Sequence, residues 1–207
     1  WATADSTTNA DGTRVINGLN GDPSAPFWCP GESDFTLRWN RSFQGGWFWT
    51  AGQDSMMFTI PELLTKYETS VGRNTNMLLG LVIDDKGLIP EADVRQVEML
   101  GKEIVRQYGT PLQQTSGTGS EYILSFDKPT SINRVILQED IAKGERILKY
   151  SLKGKKNNEW IDLASGSCIG HKHIDRFEPQ TLDAIKLVVD ESKADPQIMN
   201  FSVFETI

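Results

Sequence analysis

Two carboxylates, Glu32 and Asp34, stand two residues apart in a stretch that opens on Trp28, runs on to Arg38 and is soon followed by Trp47 and Trp49. Aromatic rings beside a carboxylate suit a sugar. The C–H face of a pyranose stacks on the ring while the carboxylate accepts hydrogen bonds from hydroxyls. The plain alternative for Glu32 and Asp34 is a solvated loop pair, or an ion pair with Arg38. Trp47 and Trp49 alternate, so in an extended stretch one of them lines a pocket and the other faces a core. Arg73, Asn74 and Asn76 are residue types that close turns and cap helices, and a structural role is expected of them. His171 and His173 share one face of a strand-like run, and no zinc-type ligand set is read around them. The only cysteines, Cys29 and Cys168, lie far apart and read as free thiols. The Lys153–Lys156 stretch reads as a solvated turn.

The elements that must position these groups change in rhythm along the chain. Residues 1 to about 46 are rich in Gly, Asn, Asp, Pro and Ser and read as a long loop region, the kind of segment that carries binding work. Thr59 is placed to cap a helix in which Leu63, Leu64, Tyr67 and Val71 recur at helical spacing, ending near Gly72. Met77–Ile83 is a short apolar run that suits a strand buried on both faces. Pro90 and Glu91 open a second helix with an apolar stripe of Val94, Val97, Met99, Leu100, Ile104 and Val105, closed at Tyr108-Gly109-Thr110-Pro111. Helix, buried strand, helix is an α/β rhythm. Beyond Pro111 the pattern becomes short alternating segments at 122–126, 134–138, 147–152, 160–164, 169–177, 185–189 and 198–204, separated by turns. Evenly spaced strands of this kind predict a sandwich or jelly roll. A boundary near 110–118 divides the chain into 1–112 and 113–207.

Bulk properties narrow the field. The 207 residues are enough for one well-cored domain or two small ones, and 38% hydrophobic content is ordinary for a globular chain. A net charge of -7 leaves no basic face for a phosphate backbone, so nucleic acid is not an expected partner. No apolar run approaches the roughly 20 residues of a bilayer span, so membrane insertion is not expected. The opening Trp1-Ala-Thr-Ala starts in mid-pattern, as a fragment of a longer chain would.

Three pieces carry a resemblance. Tyr67-Glu68-Thr69-Ser70-Val71-Gly72-Arg73-Asn74-Thr75-Asn76-Met77-Leu78-Leu79, followed by Lys86-Gly87-Leu88-Ile89-Pro90-Glu91, is similar to the end of the catalytic barrel in family 29 glycoside hydrolases, the α-L-fucosidases. Trp28-Cys29-Pro30-Gly31-Glu32-Ser33-Asp34-Phe35-Thr36-Leu37-Arg38 resembles that family's Trp-x-Pro-x-Glu-x-Asp-x-x-Ile-Arg segment, and Gly46-Trp47-Phe48-Trp49 its Gly-Trp-Phe-Tyr/Trp element. Arg134–Ile141 and Ile169–Phe177 resemble the C-terminal domain of the branch that prefers α-1,3/4-linked fucose. Two departures stand out. Gly80-Leu81-Val82-Ile83 replaces the family's Leu-Asn-Ile/Val-Pro-Pro, and Trp39-Asn40-Arg41-Ser42-Phe43-Gln44 is extra.

The resemblance implies an α/β plus all-β chain: the C-terminal end of a (β/α)8-like catalytic barrel, then a jelly-roll-like β-sandwich. It implies an exo-acting retaining fucosidase that takes a fucosylated glycan, needs no cofactor or metal, and is secreted or periplasmic. Retention uses two carboxyl groups about 5 Å apart. The family's nucleophilic Asp has no counterpart in these residues, so an N-terminal remainder of the catalytic domain is an implied partner. Glu32 is assigned to substrate recognition or acid/base work, with Trp28, Asp34, Arg38, Trp47 and Trp49 as substrate-binding candidates. The rival readings are a non-catalytic glycan-binding module and a purely structural sandwich.

Overall fold

The computed structural model describes residues 3–19, 21–22 and 24–205, which fold as two compact units. One comprises residues up to Gly31, Val71–Thr75 and the chain from Pro111 onward; the other comprises Glu32–Ser70 and Asn76–Thr110.

The larger unit is built from strands. β1 (Thr3–Thr8), β2 (Arg14–Leu19) and β3 (Phe27–Trp28) form a three-stranded antiparallel sheet in the order β2-β1-β3. The expected loop region therefore contains a hairpin. It went unread because Thr-Ala-Asp-Ser-Thr-Thr has no apolar alternation, and its turn is set locally by Asn9, which accepts from the Gly12 N–H, with Gly12 at φ +85°.

The main sheet has six strands, ordered β6-β11-β7-β10-β8-β9. These are β6 (Gln113–Thr118), β7 (Glu121–Glu139), β8 (Ile147–Lys156), β9 (Glu159–Gly166), β10 (His173–Ser192) and β11 (Gln197–Phe204). Two strands, β7 and β10, are long enough to run through both layers of a sandwich. Residues 121–125 of β7 pair with 184–188 of β10, and residues 130–137 pair with 173–182, with the register broken between Arg176 and Gln180. Along β7, β11 pairs with the second half alone, and along β10, β8 pairs with the second half alone. Buried residues from both halves meet in one core: Tyr122, Leu124, Val135, Leu137, Leu152, Ile185, Leu187, Phe201 and Val203. The period-2 alternation of Val135/Leu137 and Ile185/Leu187/Val189 fills that core from both sides.

The smaller unit holds β4 (Gly31–Thr36), α1 (Ile60–Ser70), β5 (Thr75–Gly80) and α2 (Glu91–Tyr108). β4 and β5 form a two-stranded sheet. Leu37, Leu63 and Leu100 are its fully packed residues, with Met57, Phe58, Met77, Leu79, Val97 and Ile104 against them. α1 starts on a capping box. The Thr59 N–H and hydroxyl both donate to Glu62 Oε2, at 2.7 and 2.8 Å, while the Glu62 N–H points back at Thr59 Oγ1. The described residues thus contain a strand–helix–strand–helix segment of α/β character, and no closed barrel forms among them.

Candidate functional site

In the smaller unit, Glu32 and Asp34 lie on the same exposed face of β4, because side chains two apart on a strand point the same way. Phe35 points to the other side, where the Lys66 ammonium sits 4.7 Å from its ring centre and 4.4 Å from that of Phe58. The carboxylate pair is therefore open to a ligand, and neither carboxylate pairs with Arg38.

Arg38 departs from the expectation of a substrate contact. It is only 1% exposed. Its NH2 donates to Asp93 Oδ1 at 2.6 Å and to Asp54 Oδ1 at 3.0 Å, its Nε to Asp93 Oδ2 at 3.3 Å, and its NH1 to the Gln53 carbonyl at 3.0 Å. Burial pulls the guanidinium's pKa down, but the two carboxylates outweigh that and raise it. With its nitrogens taken in this way, Arg38 ties the start of α2, where Asp93 is fully buried, to the segment after β4. It holds the loop in place and does not face a ligand.

That loop carries the aromatics. Gln44, Gly45 and Gly46 all have positive φ, and a side chain on Gly46 would meet the Arg38 carbonyl at 2.7 Å, so the turn is seated on the backbone of Arg38. The Phe43 N–H donates to Gln53 Oε1 at 2.7 Å. Trp47 is 46% exposed, and its ring lies over Gly80, where a Cβ would stand 2.6 Å from Trp47 Cζ3. Trp49 is half-buried, so it is the member of the pair turned inward. Gly80, one of the two departures from the family pattern, thereby acquires a physical reason: it makes room for the indole. Phe43 and Phe48 are also exposed, and no sequence period marked them.

Trp28 belongs to the larger unit. It is 45% exposed, and its indole N–H donates to Glu145 Oε1 at 3.2 Å. The same oxygen accepts from Asn74 Nδ2 at 2.6 Å. Asn74 sits at φ +65° and Arg73 donates to backbone carbonyls, so the structural role expected for both is what the larger unit shows. Cys29 and Cys168 are free, and burial together with Glu145 pushes the Cys168 thiol up to about 12. Among the described residues no group of three or more His, Cys, Asp or Glu could hold a metal ion, and no helix is long and apolar enough to cross a membrane.

No family model matches the chain. It is 37% identical to a Bacteroides thetaiotaomicron chain that carries the α-L-fucosidase name, with a TM-score of 0.87 over 90% of this chain and 42% of that one. The chain is similar to proteins named α-L-fucosidase. A family 29 member from an unknown rumen bacterium is 27% identical, with a TM-score of 0.78 over 90% of this chain and 35% of that structure. α-L-Fucosidase 1 of Arabidopsis thaliana is 27% identical over 221 residues, covering 89% of this chain and 42% of the plant protein. The chain thus spans under half the length of its fucosidase relatives, and the mostly β larger unit agrees with a C-terminal fucosidase sandwich.

Proposed function

We propose that the complete protein is an exo-acting α-L-fucosidase that removes terminal α-L-fucose from oligosaccharides or glycoconjugates with retention, and that this chain is its C-terminal part. The observation that carries the proposal is the 37% identity and TM-score of 0.87 across nine-tenths of the chain. In this reading residues 1–112 complete a catalytic barrel begun upstream, which also supplies the nucleophilic Asp, and 113–207 form the sandwich domain. Glu32 serves as acid/base or recognition carboxylate. Asp34 binds sugar hydroxyls beside it, Trp47 offers the sugar a stacking face, and Trp49 is a further aromatic candidate in the same unit; Trp28 remains a separate substrate-binding candidate in the larger unit. Arg38 holds the aromatic loop. The proposal extends to a preference for α-1,3/4-linked fucose and to a secreted or periplasmic address.

The chemistry needs both carboxyl groups: one attacks the anomeric carbon and the other protonates the departing oxygen, then activates water to release fucose. Glu32 lies on a short strand rather than a loose loop, which keeps its carboxylate within a fixed arc of positions, as a proton donor requires. The deciding experiment incubates the complete protein with α-1,2-, α-1,3- and α-1,4-fucosylated oligosaccharides and follows the first-formed anomer by proton NMR. Release of α-fucose from the 1,3- and 1,4-linked substrates is expected. An untouched panel, with turnover of a different glycoside, would remove the proposal.

A further inference from the structure

Ser151 of β8 stands between two irregularities of the main sheet. On β9, Ala164 pairs with Leu152 but Asp162 with Lys153, so Leu163 is an extra residue. On β10, Val189 pairs with Tyr150 but Glu191 with Lys149, so Asp190 is extra as well. A bulge of this kind bends its strand and re-aims side chains. Here two bulges flank one position, and a cavity of about 470 Å³ opens there, lined by both extra residues and by Lys149, Ser151, Asp162 and Ser165. Lys149 and Ser151 alternate with the fully buried Tyr150 and Leu152, so they point away from the sandwich core.

The polar groups of the cavity are tied to one another. The Lys153 ammonium donates to Asp162 Oδ1 at 2.7 Å, and its pKa is raised first by that bond and also by the charge of Asp190. One ammonium thus lies within electrostatic reach of both carboxylates. The Ser151 hydroxyl donates to Asp190 Oδ1 at 3.4 Å. The second oxygens of Asp162 and Asp190, the Lys149 ammonium and the Ser165 hydroxyl bond no described residue. Within this set Lys149 and Lys153 offset Asp162 and Asp190, which favours neither an anion nor a cation. What the set offers is two acceptors, a donor and a hydroxyl that does both, with Leu163 on the same lining. Each sugar hydroxyl both donates and accepts, so a neutral ring uses all of them. The volume lies within the range of about 300–1,000 Å³ found for small-molecule sites.

We propose that this cavity is a non-catalytic binding site for a neutral pyranose, whose hydroxyls bond Asp162, Asp190, Lys149 and Ser165. The site lies wholly in the larger unit and stands whether or not the complete protein cleaves fucosides. Its charged groups are exposed, so the affinity expected is millimolar.

Saturation-transfer NMR titration of the complete protein with D-glucose, D-galactose, D-mannose and L-fucose tests it. At least one of the four should bind in the millimolar range. Asp190→Ala removes an exposed acceptor whose bond to Ser151 is long, and Ser165→Tyr puts a ring into the cavity from an exposed strand position, where aromatics are well tolerated. Each variant should weaken that sugar ten-fold or more, the scale of a lost bond to a charged group, with the thermal unfolding temperature unchanged. Turnover of a small aryl fucoside should be the same in parent and variants, which separates this site from a catalytic one. No binding of any of the four sugars, or binding that neither variant weakens, would overturn the assignment.

Discussion

At the scale of single residues, the smallest side chain in the candidate site sets the position of one of the largest. Trp47 can lie where it does only because Gly80 has no Cβ. Gly80→Ala should therefore push the indole off its seat, with an overpacking cost of about 1–3 kcal/mol in stability. The kcat/KM of the complete protein on fucosides should fall by roughly five-fold, about the worth of one aromatic contact. Thermal unfolding and steady-state kinetics check the two parts separately. Glu139 makes a different point. It is 1% exposed and accepts the N–H groups of Arg146 (2.8 Å), Ile147 (3.1 Å) and Gly170 (2.8 Å). Burial raises its pKa despite those three donors. A carboxyl whose pKa is higher folded than unfolded holds its proton more tightly in the folded state. Its contribution to stability is thus fully present below the ordinary glutamate range and is lost as pH rises through the raised value. Denaturant melts at stepped pH should show this decline, and Glu139→Gln should flatten it. The same variant should cost about 1–3 kcal/mol, because an amide cannot accept on both sides. Neither residue announced itself in the sequence: Gly80 stood out only as a departure from a pattern, and Glu139 fell just past the 134–138 segment with nothing to mark its burial.

At the scale of elements, legibility followed periodicity. α1 and α2 were readable because their apolar residues recur at helical spacing and Thr59 caps the first. β8, β9 and β11 were readable as alternating runs, although β8 continues through Lys153–Lys156, which the sequence reads as a turn. β7 and β10 read as two strands each because their middles, around Pro129 and Pro179, are polar and exposed where the strands pass from one layer to the other. β6, with Gln-Gln-Thr-Ser-Gly-Thr, looked like a linker and is instead an edge strand bonded to β11. The Arg38–Asp93 pair was invisible because its members stand 55 positions apart and only packing joins them. Removing one member of a buried pair strands the other charge. Asp93→Ala is expected to lower stability by about 3–5 kcal/mol. Asp54→Ala, whose carboxylate is 57% exposed, should cost less than about 1 kcal/mol. Urea denaturation of the two variants side by side tests the ranking.

At the scale of the whole molecule, the sandwich core takes its residues from distant strands, so cutting it back in any one strand should be felt throughout. Phe201 is fully buried in β11, paired with Leu137 of β7, in a core cluster that also includes residues of β8 and β10. Phe201→Ala should cost about 3–5 kcal/mol, read as a shift of the denaturation midpoint with unchanged slope. Of the proposed chemistry, the sequence offers one candidate carboxylate, Glu32, read first as a recognition group and second as an acid/base; a retaining mechanism uses two carboxyl groups.

The five residues 71–75 have a consequence for heredity. They are surrounded in the chain by the smaller unit, yet they lie along the start of β10, where the Asn74 N–H donates to the Lys172 carbonyl and the Ile174 N–H to the Gly72 carbonyl. A gene segment encoding 113–207 alone would make a sheet with those backbone groups unmet and Gly170 facing an empty notch. The sandwich is therefore no cassette that recombination could lift out at one breakpoint and set down elsewhere. Moved without the short stretch embedded in its neighbour's sequence, it would leave those two backbone bonds behind.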